Sequence, residues 1–164
     1  MGIKPKFGFV QGNKYNKLAY DIVGNPWNND KLWPTYSLTL KLCSLARITL
    51  TGNRLANTDQ SGDTCNENNL WEVNQSQIID MADFYGIDID DGGDCLKHVE
   101  PLINAGIKAS RDAMDFDDQV FLPNVFGCRP KKVARCYIDE FQDLNAAQQG
   151  IHFDRDWETT EHVR

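Results

Sequence analysis

The 164-residue chain has no run of about 18 apolar residues, which excludes a membrane-spanning helix. Its first ten residues, MGIKPKFGFV, hold no apolar stretch followed by a small-residue cleavage site, so they are not a secretory signal. Met1-Gly2 opens a myristoylation pattern, but Lys6 stands where that pattern needs Ser or Thr. The expected address is cytoplasmic. No Cys-x-x-Cys occurs, and the five cysteines (Cys43, Cys65, Cys95, Cys128 and Cys136) are odd in number and widely spaced. That excludes a disulfide framework and points to reduced thiols. The nearest ligand pair, Cys95 with His98, stands alone where a zinc site needs two, so no zinc is expected. Positive charge is also short: 17 Lys and Arg against 24 Asp and Glu leave a net charge of −7. A broad, nonspecific grip on nucleic acid rests on a basic face and is disfavoured. A grip on single strands through stacking and a local groove is not excluded. There is no internal repeat and no low-complexity tract. What is present, 41% hydrophobic and 25% charged residues, is one domain's worth of soluble chain with a single core.

Helical periodicity dominates. Tyr15, Leu18, Ala19 and Ile22 fall at i, i+3, i+4 and i+7, predicting a helix over 13–23 that Gly24-Asn25-Pro26 stops. Residues 27–34 read as a loop. Leu38, Leu42, Leu45 and Thr49 predict a helix over 35–51, stopped by Gly52-Asn53, and 55–69 reads as an exposed polar loop. Further helices are expected over 76–85, ended by Gly86, and from an Asp94 cap through Ala105, closed by Gly106 and kinked or split at Pro101. Asp115 begins a short helix that Pro123 ends, with Asp117 and Asp118 in its positive first turn. Val133-Ala134-Arg135-Cys136-Tyr137-Ile138 has the short apolar character of a buried parallel strand, with Arg135 discordant. Asp143 is expected to cap a last helix through Gln149, and the charged tail to fray. Trp27, Trp33 and Trp71 fall in predicted loops, where core anchoring is favoured over stacking on bases. Lys4, Lys6, Arg129, Lys131, Lys132 and Arg135 could touch a phosphate backbone, but solvated surface charge is the plainer expectation.

The chemistry-bearing string follows the strand: Asp139-Glu140-Phe141-Gln142-Asp143-Leu144-Asn145. An apolar strand ending in two acids delivers carboxylates to the edge of a sheet where ligands of open α/β sheets bind. In nucleotide hydrolysis the first acid can hold magnesium through water, and the second can orient or deprotonate the attacking water. The longer string Ile-Asp-Glu-Phe-Gln-Asp-Leu-Asn is similar to the Walker B motif of UvrD/Rep-type superfamily 1 DNA helicases. Met114-Asp115-Phe116-Asp117-Asp118 resembles the hydrophobic-Asp-Phe-x-Asp segment upstream of Walker B in the same family. Lys14 to Leu18, Leu42 to Leu50 and Ile78 to Ile87 resemble, more loosely, the family's helical insertion, Arg47-Ile48-Thr49-Leu50 being the most suggestive piece.

The resemblance covers roughly residues 10–148. It implies an α/β fold, part of a P-loop NTPase (RecA-like) motor domain with a large helical insertion. Residues 1–112 would be insertion-like, 113–150 the RecA-like piece with the Walker B strand, and 151–164 a charged tail. It implies Asp139 as the magnesium residue, Glu140 and Gln142 as catalytic, and Asp115, Asp118 and Asp143 as structural. It further implies Mg2+ and ATP as cofactors and single-stranded DNA as partner. The family's phosphate loop is not found. The closest string, Gly8-Phe9-Val10-Gln11-Gly12-Asn13-Lys14-Tyr15, has its glycines one residue too close and a Tyr where a hydroxyl must bind magnesium. The chain is therefore expected to bind ATP poorly alone and to need a second polypeptide carrying that loop and the later motifs. Two other readings stand beside it: a non-catalytic module that binds DNA or a helicase subunit, and a metal-dependent nuclease built on Asp115, Asp117, Asp139 and Glu140.

Overall fold

The computed structural model describes residues 14–55, 70–90, 92–128 and 140–152. The expected strand at 133–138, Asp139, the polar stretch 56–69 and the tail beyond residue 152 lie outside them.

The first helix, α1 (Lys14–Ile22), buries Tyr15 and Ala19 and lays Leu18 and Ile22 against the core, the face that the spacing predicts. Gly24, at φ +108, ends it. A 3-10 turn, Asp30–Leu32, is capped by Asn29, which accepts from the Lys31 amide. It leads into α2 (Trp33–Thr49). Pro34 sits in the first turn of α2, where its missing N–H costs no helix hydrogen bond, so the helix starts two residues before the expected Thr35. Leu50 adopts a left-handed conformation (φ 53) and closes α2.

Next comes Gly52, where a Cβ would lie 2.5 Å from both the Glu72 carbonyl and the Trp71 ring nitrogen. That close approach lets β1 (Asn53–Leu55) pair antiparallel with β2 (Leu70–Glu72), Arg54 opposite Trp71. Neither strand is long enough to show alternation, so the sequence reading takes the first for a stop and the edge of a loop. Trp71 is a core anchor with its ring edge-on to Phe121. Trp27 and Trp33 are exposed, at 71% and 36%, against the expectation of anchors.

A reciprocal capping box between Asn74 and Gln77 starts α3 (Gln75–Phe84), and Gly86 (φ +63) follows it. The fourth helix, α4 (Leu96–Lys108), corrects the sequence reading three times. Asp94 does not cap it; its carboxylate pairs with Lys97, and Cys95 holds the cap position without a side-chain bond. Pro101 does not split the helix, which runs unbroken from Leu96 to Lys108: it lies on the exposed face, where water can serve the carbonyl it leaves unpaired. Gly106 is interior rather than terminal. A Cβ there would lie 2.1 Å from the Tyr15 hydroxyl, so Gly106 is the opening that lets α1 approach α4. Likewise α5 (Asp118–Phe126) runs through Pro123 and ends at Gly127 in the left-handed region. Buried Phe121, Leu122, Val125 and Phe126 hold it together across the proline.

The last described helix is α6 (Ala146–His152). Asn145, not Asp143, caps it: the Gln148 amide donates to Asn145 Oδ1 while the Asn145 amide donates to Gln148 Oε1. Among the described residues the architecture is a helical body. Central α2 touches α1, α3, α4, α5 and α6; α1 and β2 also rest on α4, and α6 on α5. Leu42, Ile78, Val99, Leu102, Ile103, Ile107, Phe121 and Leu122 are at most 1–2% exposed, each contributing roughly 1.5–3 kcal/mol by burial. Across the boundary expected between 112 and 113, α5 and α6 pack directly on α2. No helix is long and apolar enough to cross a membrane among the described residues.

Candidate functional site

The acids at the head of α5 are gathered around a buried cation. Asp115 and Asp118 form a reciprocal pair across one turn: the Asp118 amide donates to Asp115 Oδ1 (2.8 Å) and the Asp115 amide to Asp118 Oδ2 (3.1 Å). This is capping-box geometry with aspartate in both roles. The guanidinium of Arg47, from α2, grips Asp115 with two nitrogens (2.8 and 3.1 Å) and reaches Asp118 (3.0 Å) and Asp117 (3.1 Å). Ser44, one turn earlier on α2, donates to Asp117 Oδ2 at 2.5 Å. From α1, Lys14 Nζ donates to Asp118 Oδ2 (2.6 Å) and the Tyr15 hydroxyl to Asp118 Oδ1 (2.9 Å). The Tyr15 ring lies under the Arg47 guanidinium, 3.8 Å from its centroid. Three helices are thereby tied at one point.

The electrostatics explain why so many charges tolerate burial. Asp118 is fully buried and needs both Lys14 and Arg47, while the surplus negative charge of three carboxylates against two cations sits on Asp115 and Asp117, which still see water. Burial opposes the charge of Arg47, but Tyr15, Cys43 and Asp115 outweigh it and hold the proton above the ordinary arginine range. Arg47 Nε is buried without a hydrogen-bond partner. Burial likewise pushes the Tyr15 phenol well above its usual value and the Cys43 thiol up to about 12, with Arg47 pulling both the other way.

These contacts decide what the acids can do. Asp115, Asp117 and Asp118 spend their oxygens on Arg47, Lys14, Ser44 and Tyr15, not on a shared opening for metal ions. No group of three or more His, Cys, Asp or Glu suited to a metal occurs among the described residues. Lys14, the lysine of the false phosphate loop, is committed to Asp118 and buried.

The second acidic region has the opposite character. Glu140, exposed, adopts a left-handed backbone (φ 52), a conformation that costs a non-glycine residue about 1 kcal/mol or more. A 3-10 turn, Phe141–Asp143, follows, with the Asp143 amide donating to the Glu140 carbonyl at 2.8 Å. Gln142, also exposed, donates through its carboxamide to the Glu140 carboxylate. The turn thus brings together the two side chains expected to be catalytic, next to solvent. Asp139, the expected magnesium residue, lies outside the described residues, and Asp143 belongs to the 3-10 turn.

The sequence reading missed Lys14, Tyr15, Ser44 and Arg47 as the partners of the α5 acids. A signal was there: Thr39, Cys43 and Arg47 recur every four residues on the buried stripe of α2. A charge on such a stripe requires a buried acid. Neither protein-family models, nor curated proteins, nor solved structures give a match to this chain.

Proposed function

We propose that the chain is a piece of the motor domain of an ATP-dependent DNA helicase of the UvrD/Rep type, and that it supplies the water-activating side of the ATPase site. The reading rests on the Walker B-like string, and one observation carries it: Glu140 and Gln142 meet on an exposed, strained turn, while the acids at the head of α5 are consumed by ion pairs with buried Arg47 and Lys14. In this proposal Glu140 orients the attacking water and accepts its proton, and Gln142 holds the Glu140 carboxylate in place. Asp139 would hold the magnesium of Mg-ATP, which supplies charge neutralisation at the phosphates. The phosphate grip and the later motifs come from a second polypeptide segment, and single-stranded DNA is the partner. The fold proposed for the whole is the α/β, RecA-like P-loop NTPase core, with the helical body as its insertion.

The test is to mix the chain with a UvrD/Rep-type polypeptide bearing the phosphate loop and later motifs. ATP hydrolysis stimulated by single-stranded DNA is expected to appear, and to fall about 100-fold or more with Glu140→Gln. A second reading, a non-catalytic module binding DNA or a helicase subunit, draws on the commitment of Lys14 to Asp118 instead of a phosphate. It replaces the first if no mixture hydrolyses ATP and Glu140→Gln leaves binding unchanged.

A further inference from the structure

From the geometry we infer that Asn124, in the last turn of α5, is a positioning residue that indexes the Glu140–Gln142 turn to the helical body. Its catalytic consequence, though not its structural one, rests on the ATPase reading above. The carboxamide of Asn124 donates twice, to the Val120 carbonyl of its own helix (2.7 Å) and to the Ala147 carbonyl of α6 (3.0 Å). Ala147 is fully buried at this contact. The opposite end of the carboxamide needs a glycine: a Cβ on Gly150 would lie 2.3 Å from Asn124 Oδ1 and 3.2 Å from Leu50 Cδ1. Gly150, with no Cβ, costs α6 helix propensity in its interior, so its presence there has a packing reason.

From Asn124 the path to the turn is hydrogen-bonded on both sides of the Asp143–Leu144 peptide link, which joins the two parts directly. Asn124 holds Ala147. The Asn145–Gln148 capping box fixes the start of α6, and Gln149 Nε2 donates back to the Leu144 carbonyl at 2.9 Å. The Asp143 amide closes the 3-10 turn on the Glu140 carbonyl, and Gln142 reaches the Glu140 side chain. The other end of α5 is pinned by Arg47 and Lys14. The short α6 could not hold its orientation alone, since seven residues are too few for a stable isolated helix. Asn124 and the space at Gly150 supply that orientation, so the placement of Glu140 and Gln142 is set from α5.

The experiment uses the full chain with Asn124→Ala, Gly150→Ala and the double variant, followed by amide hydrogen exchange and by ATPase in the reconstituted mixture. Asn124→Ala is expected to speed exchange across 141–150 by about tenfold, as the loss of one net hydrogen bond does, while α1, α2 and α4 exchange as before. Gly150→Ala is expected to do the same by displacing the carboxamide. The double variant, whose new methyl fits the vacated space, should regain part of the protection. In the ATPase arm, Asn124→Ala is expected to lower kcat about tenfold with KM for ATP unchanged. Unchanged exchange at 141–150, or additive losses in the double variant, would overturn the inference. Changed exchange with unchanged kcat would overturn its catalytic part. If the unsubstituted mixture hydrolyses no ATP, the ATPase reading fails while the exchange arm still decides whether Asn124 indexes the turn.

Discussion

At the head of α5, Asp118 has lost contact with water and accepts from Lys14, Tyr15, Arg47 and the Asp115 amide, whereas Glu140 stands at the surface on a left-handed turn with Gln142 donating to it. Both are carboxylates in short acidic strings. Their surroundings assign them different work. A carboxylate surrounded by fixed cations and donors is a structural tie whose removal strands charge in the interior. One on a strained, solvent-facing turn keeps its contact with water, and in the proposed function it takes the attacking water. Sequence strings rich in acids therefore divide by burial, not by composition.

The sharpest way to break the buried side of this contrast is Arg47→Ala. It leaves Asp115, Asp117 and Asp118 without their shared cation and takes the cap off the Tyr15 ring. A loss of about 3–5 kcal/mol in chemical unfolding is expected, enough to unfold a marginal domain. A loss near zero would show that the network is dispensable. Next in size is Gly106→Ala, which drives a methyl into the Tyr15 hydroxyl and so reaches Asp118 through its donor. About 1–3 kcal/mol of destabilisation is expected, against the usual small gain for glycine to alanine inside a helix. Stabilisation would mean that α1 stands off from α4.

A smaller and pH-dependent effect belongs to Cys43. Its folded value, about 12, lies above the ordinary thiol value of about 8.5. The stability that depends on the neutral thiol is therefore fully present below about pH 8.5 and is lost as the pH rises toward 12. Tyr15 acts in the same direction from about pH 10 upward, because burial raises it too. In urea titrations at several pH values, Cys43→Ala should remove about 1.4 kcal/mol per pH unit from the alkaline slope between those limits. An unchanged slope would place the alkaline sensitivity elsewhere.

How much of this could be read beforehand differs along the chain. The face of α1 was legible because Tyr15 and Ala19 follow the helical period and packing agrees with it. On α2 the expected Leu38, Leu42, Leu45 and Thr49 include one buried residue, Leu42, and the stripe turns instead toward Thr39, Cys43, Ala46 and Arg47. The ends of α4 and α5 were not legible. Pro101, Gly106 and Pro123 are local stop signals that tertiary burial overrides, Gly106 because another helix needs its missing side chain. The pairing of β1 with β2 was hidden in strands of three residues. At the candidate site the acids were legible as a string, but α5 begins at Asp118, with Asp117 in the cap position, rather than at Asp115. The partners of those acids come from helices 68 to 104 positions away. Only the spacing of Arg47 on a buried stripe hinted at them. The apolar run at 133–138 and Asp139 lie outside the described residues, and the α/β fold class remains a proposal with them.

The division of labour is tested most directly by making one chemical change in both places and comparing thermal unfolding of Asp118→Asn with that of Glu140→Gln. The first is expected to lower Tm by about 6–12 °C, the equivalent of a broken buried ion pair in a domain of this size. The second is expected to leave Tm within about 2 °C, as a surface substitution does. Equal shifts, or a larger loss for Glu140→Gln, would contradict the account.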